Sequence, residues 1–119
     1  MVSTAAFRTL ALALPEATEQ PHFEKPSFRV GKKIFATLDV AQSQACLKLS
    51  VAEQDVFCTY DRSIIYPVPN KWGLQGWTII ELKRAPKDFL QDALTTAYCG
   101  IAPKRLAVLV RPADGGQPL

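Results

Sequence analysis

The strongest constraint on the fold is a two-residue turn, Gly31-Lys32, between two short apolar segments. Residues 28–30 and 33–38 flank this turn and carry β-branched and aromatic side chains. Glycine supplies the positive φ that a tight hairpin turn requires, so the pattern predicts two antiparallel strands. Alternation along the second strand predicts that Ile34, Ala36 and Leu38 share one face and that Lys33, Phe35 and Thr37 share the other.

The remaining segments alternate between strand and helix patterns. Three more strands are predicted at residues 45–49, 63–68 and 77–82 from alternation and β-branched content. Helices are predicted over residues 3–14, 51–60 and 86–99, with Ser3 as an N-cap and a Ser50/Glu53 capping box. Residues 16–26 contain two prolines and no periodicity, so they are predicted to form an ordered loop.

This order of elements predicts an α+β two-layer sandwich, in which an antiparallel sheet carries helices on one face. Gly100 is predicted to stop the last long helix. Residues 102–110 fit either a short helical turn or an extended piece. The predicted domain covers residues 1–106, and residues 107–119 form a C-terminal extension whose end is expected to be mobile.

Composition limits the class of protein. The 119 residues are 48% hydrophobic, which is enough for a core without disulfides, and no stretch reaches the roughly 20 apolar residues that cross a bilayer. The N-terminal apolar run is short and interrupted by Arg8, unlike a signal peptide. Three widely spaced cysteines fit a reducing cytoplasm. We therefore expect a cytoplasmic monomer without a membrane segment.

Metal and catalytic chemistry have little support in the sequence. Cys46, Cys58, Cys99 and His22 lack the close pairing of ligands that structural zinc sites use. His22 has no orienting partner that the sequence identifies, and the glycines match neither a dinucleotide fingerprint nor a P-loop. We expect no metal, no cofactor and no enzymatic activity.

Basic and aromatic residues occur together in three segments, and this is the most distinctive chemical pattern in the chain. Cations at hairpin tips can contact a phosphate backbone, and aromatic or guanidinium planes can stack on bases. The candidate nucleic-acid-binding residues are Arg29, Lys32, Lys33, Lys71, Trp72, Lys104 and Arg105.

Four blocks of sequence carry a family resemblance: PHFEKPSFRVGKKIFATL at 21–38, LKLSVAEQ at 47–54, YPVPNKWGLQGWT at 66–78 and APKRL at 102–106. In this order and spacing the chain resembles the YjbR/MmcQ family of small bacterial proteins over about residues 3–106. The matching positions are His22, Lys25, Pro26, Phe28, Lys71, Trp72, Gly73, Trp77 and Lys104.

The resemblance implies a CyaY-like α+β sandwich and DNA binding through a double-wing motif. Glu24 departs from the family pattern, in which a small residue such as Gly is frequent, and it puts a negative charge beside the first wing. The related fold also suggests iron binding on an acidic first helix. Residues 3–14 contain no carboxylate, so iron is not expected.

Two functions from different classes follow. The first is a non-enzymatic domain that binds DNA through two basic and aromatic hairpin wings, with DNA as the expected partner. The alternative is a protein-interaction or small-ligand module with a groove lined by His22, Lys25, Lys71 and Trp72. These two hypotheses predict different geometry, because a groove requires the side chains to converge on one concave site.

Overall fold

Strands Lys25–Val30 (β2) and Lys33–Asp39 (β3) form the predicted hairpin in the computed structural model, which describes residues 1–111. Gly31 and Lys32 occupy the turn with φ of +58° and +72°, so both turn residues are left-handed. The other elements are α1 (Thr4–Leu12), β1 (Thr18–His22), β4 (Gln44–Lys48), α2 (Val51–Cys58), β5 (Ile65–Pro67), a 3₁₀ turn (Gly73–Gln75), β6 (Trp77–Glu81), α3 (Lys87–Ile101) and α4 (Lys104–Val110).

The six strands form one sheet in the order β1-β2-β3-β4-β6-β5, and every neighbouring pair is antiparallel. With the helices this is the predicted α+β architecture. Because neighbouring strands alternate in direction, the β2–β3 turn and the β5–β6 connection lie at the same end of the sheet. The β1–β2 and β3–β4 turns lie at the opposite end.

The core lies between the sheet and the helices. The Phe7 ring on α1 packs edge to face on Phe28 of β2 at 5.5 Å between centroids, and Phe35 of β3 packs in the same way on Tyr98 of α3 at 5.4 Å. These four rings are fully buried. Burial of one such side chain contributes about 1.5–3 kcal/mol, so the two contacts fix α1 and α3 on one face of the sheet.

Both predicted helix caps are present. The Ser3 side chain accepts a hydrogen bond from the Ala6 backbone N–H, and Ser50 and Glu53 form a complete capping box. Each cap satisfies backbone donors that have no partner inside the helix, which is why these two helices begin where the sequence indicated.

The predicted loop at residues 16–26 was wrong in part, because it contains β1. All five residues of β1 are exposed, so the strand has no hydrophobic alternation to detect. Pro21 is tolerated because β1 is an edge strand, where a missing N–H costs no ladder bond on the open side. The sheet therefore has six strands instead of the predicted five.

The predicted faces of β3 were wrong at Ile34 and Phe35, whereas Ala36 and Leu38 share the buried face as predicted. Phe28 pairs with Ala36 and Arg29 pairs with Ile34, so the register shifts and Phe35 is an extra residue in a β-bulge. A bulge interrupts the alternation of side chains. As a result Phe35 lies on the helix-covered face, whereas Ile34 lines the open face together with Thr37.

The C-terminal helices differ from expectation at one point. Gly100 does not stop α3, which continues to Ile101 and ends because Ala102 is extended ahead of Pro103. A residue before proline disfavours the helical conformation. Residues 104–110 are helical and α4 packs against α3, which decides between the two predicted alternatives. The predicted mobile end of the extension lies outside the described residues.

Candidate ligand cleft on the open face of the sheet

The face of the sheet opposite the helices carries a cleft of about 390 Å³. Its floor comes from the central strands, where Thr37, Cys46 and Ile79 stand in register on β3, β4 and β6. Ile34, brought to this face by the bulge, extends the floor. The floor is therefore mainly apolar, with one hydroxyl and one thiol in its centre.

One end of the open face is polar, and we call Lys25, Asp39, Gln44 and Glu81 the polar end. Pairing aligns Asp39 with Gln44 and Gln44 with Glu81 across three strands. The Lys25 ammonium lies 3.4 Å from an Asp39 carboxylate oxygen, and Gln44 Nε2 donates to Glu81 Oε2 at 2.9 Å. The polar end therefore presents carboxylate, amide and ammonium groups in one row.

The opposite end of the sheet is basic, and we call Arg29, Lys32, Lys33, Lys48 and Lys71 the basic end. Its residues come from the β2–β3 hairpin, the end of β4 and the β5–β6 connection. Residues 29–33, 46–49 and 68–77 contain no acidic residue. Polar and basic ends therefore face each other across about 14 Å, the length of four strand residues.

Aromatic residues form the walls of the cleft. Trp72 and Trp77, the two tryptophans of the chain, line it near the basic end, and His22 and Phe23 line it near the polar end. Phe23 is 92% exposed and holds φ of +60° at the β1–β2 turn. A bulky residue in this conformation is strained, which is common where a turn serves a binding site.

Hydrogen bonds from side chains of α2 and β4 fix the segment that carries Trp72. The buried Gln54 side chain on α2 donates through Nε2 to the carbonyl oxygens of Gly73 and Trp77, at 3.0 and 3.2 Å. Lys48 Nζ donates to the Gln75 carbonyl oxygen at 2.6 Å. These bonds fix the β5–β6 connection, so the Trp72 wall has a defined position despite being half exposed.

Several polar atoms in the cleft have free hydrogen-bonding capacity. Within residues 1–111, the Thr37 hydroxyl, Gln44 Oε1 and the indole nitrogens of Trp72 and Trp77 have no hydrogen-bond partner in the protein. Within the described residues no buried side-chain polar atom lacks a partner, so these atoms are open to solvent in the free protein, and polar groups of a ligand can replace the water there.

Two titratable groups on the open face have shifted pKa values. Burial raises the pKa of the Cys46 thiol to about 11, against a smaller opposing effect of the Lys25 charge. The hydrogen bond that the Tyr66 hydroxyl donates to Glu81 raises the pKa of Tyr66 to about 12. Cys46 is therefore a protonated thiol at neutral pH, unlike the lowered pKa of a nucleophilic cysteine.

The structure brings together three of the four predicted groove residues. His22, Lys25 and Trp72 line the cleft, whereas Lys71 lies next to its wall on the β5–β6 connection. The cleft also contains residues that the sequence pattern did not single out for binding. They are Phe23, Ile34, Thr37, Asp39, Gln44, Ala45, Cys46, Val68 and Ile79.

The predicted nucleic-acid-binding residues occupy two separate regions. Arg29, Lys32, Lys33 and Lys71 belong to the basic end, where Trp72 adjoins them. Lys104 and Arg105 lie on α4 in the helix layer, and Arg105 pairs with Glu16 at 3.1 Å. These two residues are therefore far from the open face of the sheet.

Within residues 1–111, no group of three or more His, Cys, Asp or Glu side chains is arranged to hold a metal ion. None of the helices in this part of the chain has the length and apolar content to span a membrane.

Comparison with known proteins identifies relatives. A family model described as YjbR matches residues 12–99. A crystal structure of a Deinococcus radiodurans protein with the domain DUF419 superimposes with a TM-score of 0.74 at 22% identity, covering 97% of this chain and 89% of that one. This likeness shows a shared fold. No curated protein matches the chain.

Proposed function

The chain belongs to the YjbR family, and from that premise we propose that it is a non-enzymatic binding domain whose ligand occupies the cleft on the open sheet face. The observation that supports the proposal is that three predicted groove residues converge on one site. His22 and Lys25 flank the β1–β2 turn, Trp72 lies on the distant β5–β6 connection, and all three line one concave and mainly apolar site of about 390 Å³. Binding sites for small molecules typically have this size and this mixture of apolar walls with a few polar groups.

The chemistry of the cleft favours binding over catalysis. The Cys46 thiol has a raised pKa, so it stays protonated and is a poor nucleophile near neutral pH. The His22 ring packs edge to face on Phe23 at 4.6 Å between centroids. That contact suits a wall residue, since a general base needs an orienting polar partner.

The three cysteines are unpaired thiols, and all three have raised pKa values caused mainly by burial. Free thiols persist in reducing compartments. We therefore place the proposed binding domain in the cytoplasm.

A filled-cleft variant tests the proposal. The probe is 8-anilinonaphthalene-1-sulfonate, an aromatic anion whose emission rises in apolar sites. Thr37→Phe puts a ring in the centre of the floor, and Thr9→Phe adds the same ring to the exposed side of α1 as the control. We expect saturable binding at one site, at least about tenfold weaker in Thr37→Phe because the added ring fills the cleft.

Circular dichroism of both variants confirms that they are folded. Equal probe affinity in Thr37→Phe and in the unmodified protein would contradict the proposal, because the probe would then bind elsewhere. Failure of the folded protein to bind the probe at all would contradict it as well.

DNA binding through two wings is the second candidate. The observation that favours it is the position of Arg29, Lys32, Lys33 and Lys71 at one end of the sheet without an intervening acidic residue in their segments. Such a cluster provides phosphate contacts that are independent of sequence. Binding of a duplex that weakens steeply with salt would support this candidate, and no binding at low salt would contradict it.

A further inference from the structure

We propose that the cleft takes one nucleotide unit with a guanine-type base, whose edge faces the polar end and whose phosphate faces the basic end. This inference rests on the proposed binding function and names the class of its ligand. It is carried by three features of the open face: its aromatic and apolar surfaces, its unpaired hydrogen-bonding atoms and its opposite charges at the two ends.

The surfaces of the cleft suit a flat ring. Ile34 and Ile79 on the floor offer an apolar surface, and Trp72 and Trp77 supply aromatic walls near the basic end. Nucleobases stack on tryptophan independently of their sequence, because each base has a π face. A cleft of about 390 Å³ accommodates one base with its sugar rather than a base pair.

The unpaired atoms favour a ligand with a polar edge over an apolar one. Within residues 1–111, Thr37 Oγ1 and Gln44 Oε1 have no hydrogen-bond partner. A hydrocarbon ligand would cover both and leave them unsatisfied, which is unfavourable. A heteroaromatic ring with hydrogen-bonding groups would satisfy them while keeping contact with the apolar floor.

The groups of the polar end determine which hydrogen-bond donors and acceptors the edge of the ligand must carry. Asp39 presents a carboxylate to the cleft and Gln44 an amide oxygen, and both are acceptors. Lys25, 3.4 Å from Asp39, supplies a donor beside them. Guanine matches this row, because it has two adjacent N–H donor groups next to a carbonyl acceptor. Adenine, cytosine and uracil do not present that combination.

The direction of the nucleotide follows from charge. Asp39 and Glu81 make the polar end unfavourable for a phosphate, whereas Lys48 and Lys71 belong to the basic end. With the base edge at Asp39, the phosphate of a bound nucleotide points toward these lysines. The same arrangement fits a free nucleotide and an unpaired guanine in a single strand.

Tryptophan fluorescence provides a direct readout, because both tryptophans line the cleft. The protein is titrated separately with guanosine, adenosine, cytidine and uridine monophosphates. Ribose 5-phosphate, which has no base, is the control ligand. We expect guanosine monophosphate to bind at least about tenfold more tightly than the others, the difference typical of one bidentate base contact. Equal binding of all four, or binding of ribose 5-phosphate as tight as that of guanosine monophosphate, would overturn the inference.

Asp39→Asn tests the base contact. Asparagine keeps the acceptor for the Gln42 backbone N–H but removes one of the two carboxylate acceptors. We expect guanosine monophosphate affinity to fall at least about tenfold in Asp39→Asn and to stay unchanged in Asp55→Asn. Asp55→Asn on the exposed side of α2 is the matched control. An unchanged guanosine monophosphate affinity in folded Asp39→Asn would overturn the inference.

Two further comparisons complete the test. One shows whether the bound guanine belongs to a single strand or to a free nucleotide, and the other shows whether the guanine inference or the whole binding function fails. The affinity of a single-stranded oligonucleotide with one guanine is compared with that of guanosine monophosphate. If the oligonucleotide binds more tightly and its binding depends on salt, the ligand is a guanine in a single strand. If the two affinities are equal, the ligand is a free nucleotide. If 8-anilinonaphthalene-1-sulfonate binds in the cleft but no nucleotide does, the guanine inference fails and the binding function stands. If neither binds, both fail.

Discussion

The side-chain amide of Gln54 on α2 donates to the carbonyl oxygen of Gly73 at 3.0 Å, and this bond ties the helix layer to the wall of the open-face cleft. The same nitrogen lies 3.1 Å from Thr78 Oγ1 on β6. Gln54 is only 6% exposed. A buried amide that joins three segments fixes the position of the neighbouring Trp72 more firmly than the exposed loop could by itself.

Replacing Gln54 with leucine should loosen this wall. Gln54→Leu leaves buried acceptors without their donor, so we expect the free energy of unfolding to fall by about 1–3 kcal/mol. Trp72 should also become more accessible to acrylamide quenching in the folded state. Chemical denaturation and quenching measure the two effects, and Gln91→Leu at an exposed site on α3 is the control. Equal stability of both variants would show that the bond contributes little.

Two glycines should respond in opposite directions to alanine. Gly76 has φ of +103°, and an added Cβ would lie 1.8 Å from the Leu49 carbonyl oxygen. Gly76→Ala should therefore destabilise the protein by more than about 2 kcal/mol. Gly100 is helical with open space around it, so Gly100→Ala should stabilise by about 0.5–1 kcal/mol. Thermal unfolding compares them, and similar effects of both substitutions would contradict the assigned conformations.

Cys46 should react slowly with alkylating reagents while the protein is folded. With its pKa raised to about 11, its alkylation near pH 8 should be at least about 100-fold slower than that of an unfolded peptide with the same sequence. The rate should rise about tenfold per pH unit until the thiol titrates. Iodoacetamide labelling followed by peptide mass spectrometry separates Cys46 from Cys58 and Cys99. Fast labelling of Cys46 at neutral pH would contradict a buried thiol.

Tyr66 should make folding stability depend on alkaline pH. Its folded pKa of about 12 lies above the ordinary value of 10, so the contribution is fully present below pH 10 and is lost as pH rises toward 12. Tyr66→Phe, which removes the titrating hydroxyl, should lose less stability across this range. Denaturation of both proteins at several alkaline pH values measures the difference. Parallel pH profiles would mean that the Glu81 bond does not shift the Tyr66 pKa.

Duplex DNA binding at the basic end should depend on Lys32 and Lys33. Replacing both with glutamine should reduce the slope of log affinity against log salt by up to about 2, since each phosphate contact contributes about 0.9. Replacing Lys83 and Lys87 with glutamine changes the net charge equally near the other end of the sheet. Fluorescence anisotropy of a labelled duplex measures the slopes. Equal slopes for both double variants would indicate attraction by net charge alone.

Local patterns in the sequence determined most of the fold. The Gly31-Lys32 turn, the alternation over residues 45–49 and the Ser50/Glu53 capping box act through neighbouring residues, and each predicted element is present. The four sequence blocks that indicated the family are likewise recognised from their order and spacing along the chain. The family is confirmed. Fold class and family could therefore be predicted without coordinates.

Features that depend on distant residues could not be predicted. The exposed edge strand β1 has no hydrophobic period, because its partner β2 rather than a core contact holds it in place. The bulge at Phe35 arises from strand register and moves Ile34 to the open face. A one-residue shift reverses the faces of a strand, and local alternation cannot reveal it.

The residues of the candidate site could likewise be predicted only in part. The sequence identified His22, Lys25 and Trp72 as chemically distinctive, but it did not associate them with Asp39, Gln44 or Cys46. These residues meet because antiparallel pairing brings β2, β3, β4 and β6 side by side, and the helices within residues 1–111 cover only the other sheet face. Residue chemistry is local, whereas the cleft is a product of strand order, and so only the tertiary structure decided where the basic and polar groups lie.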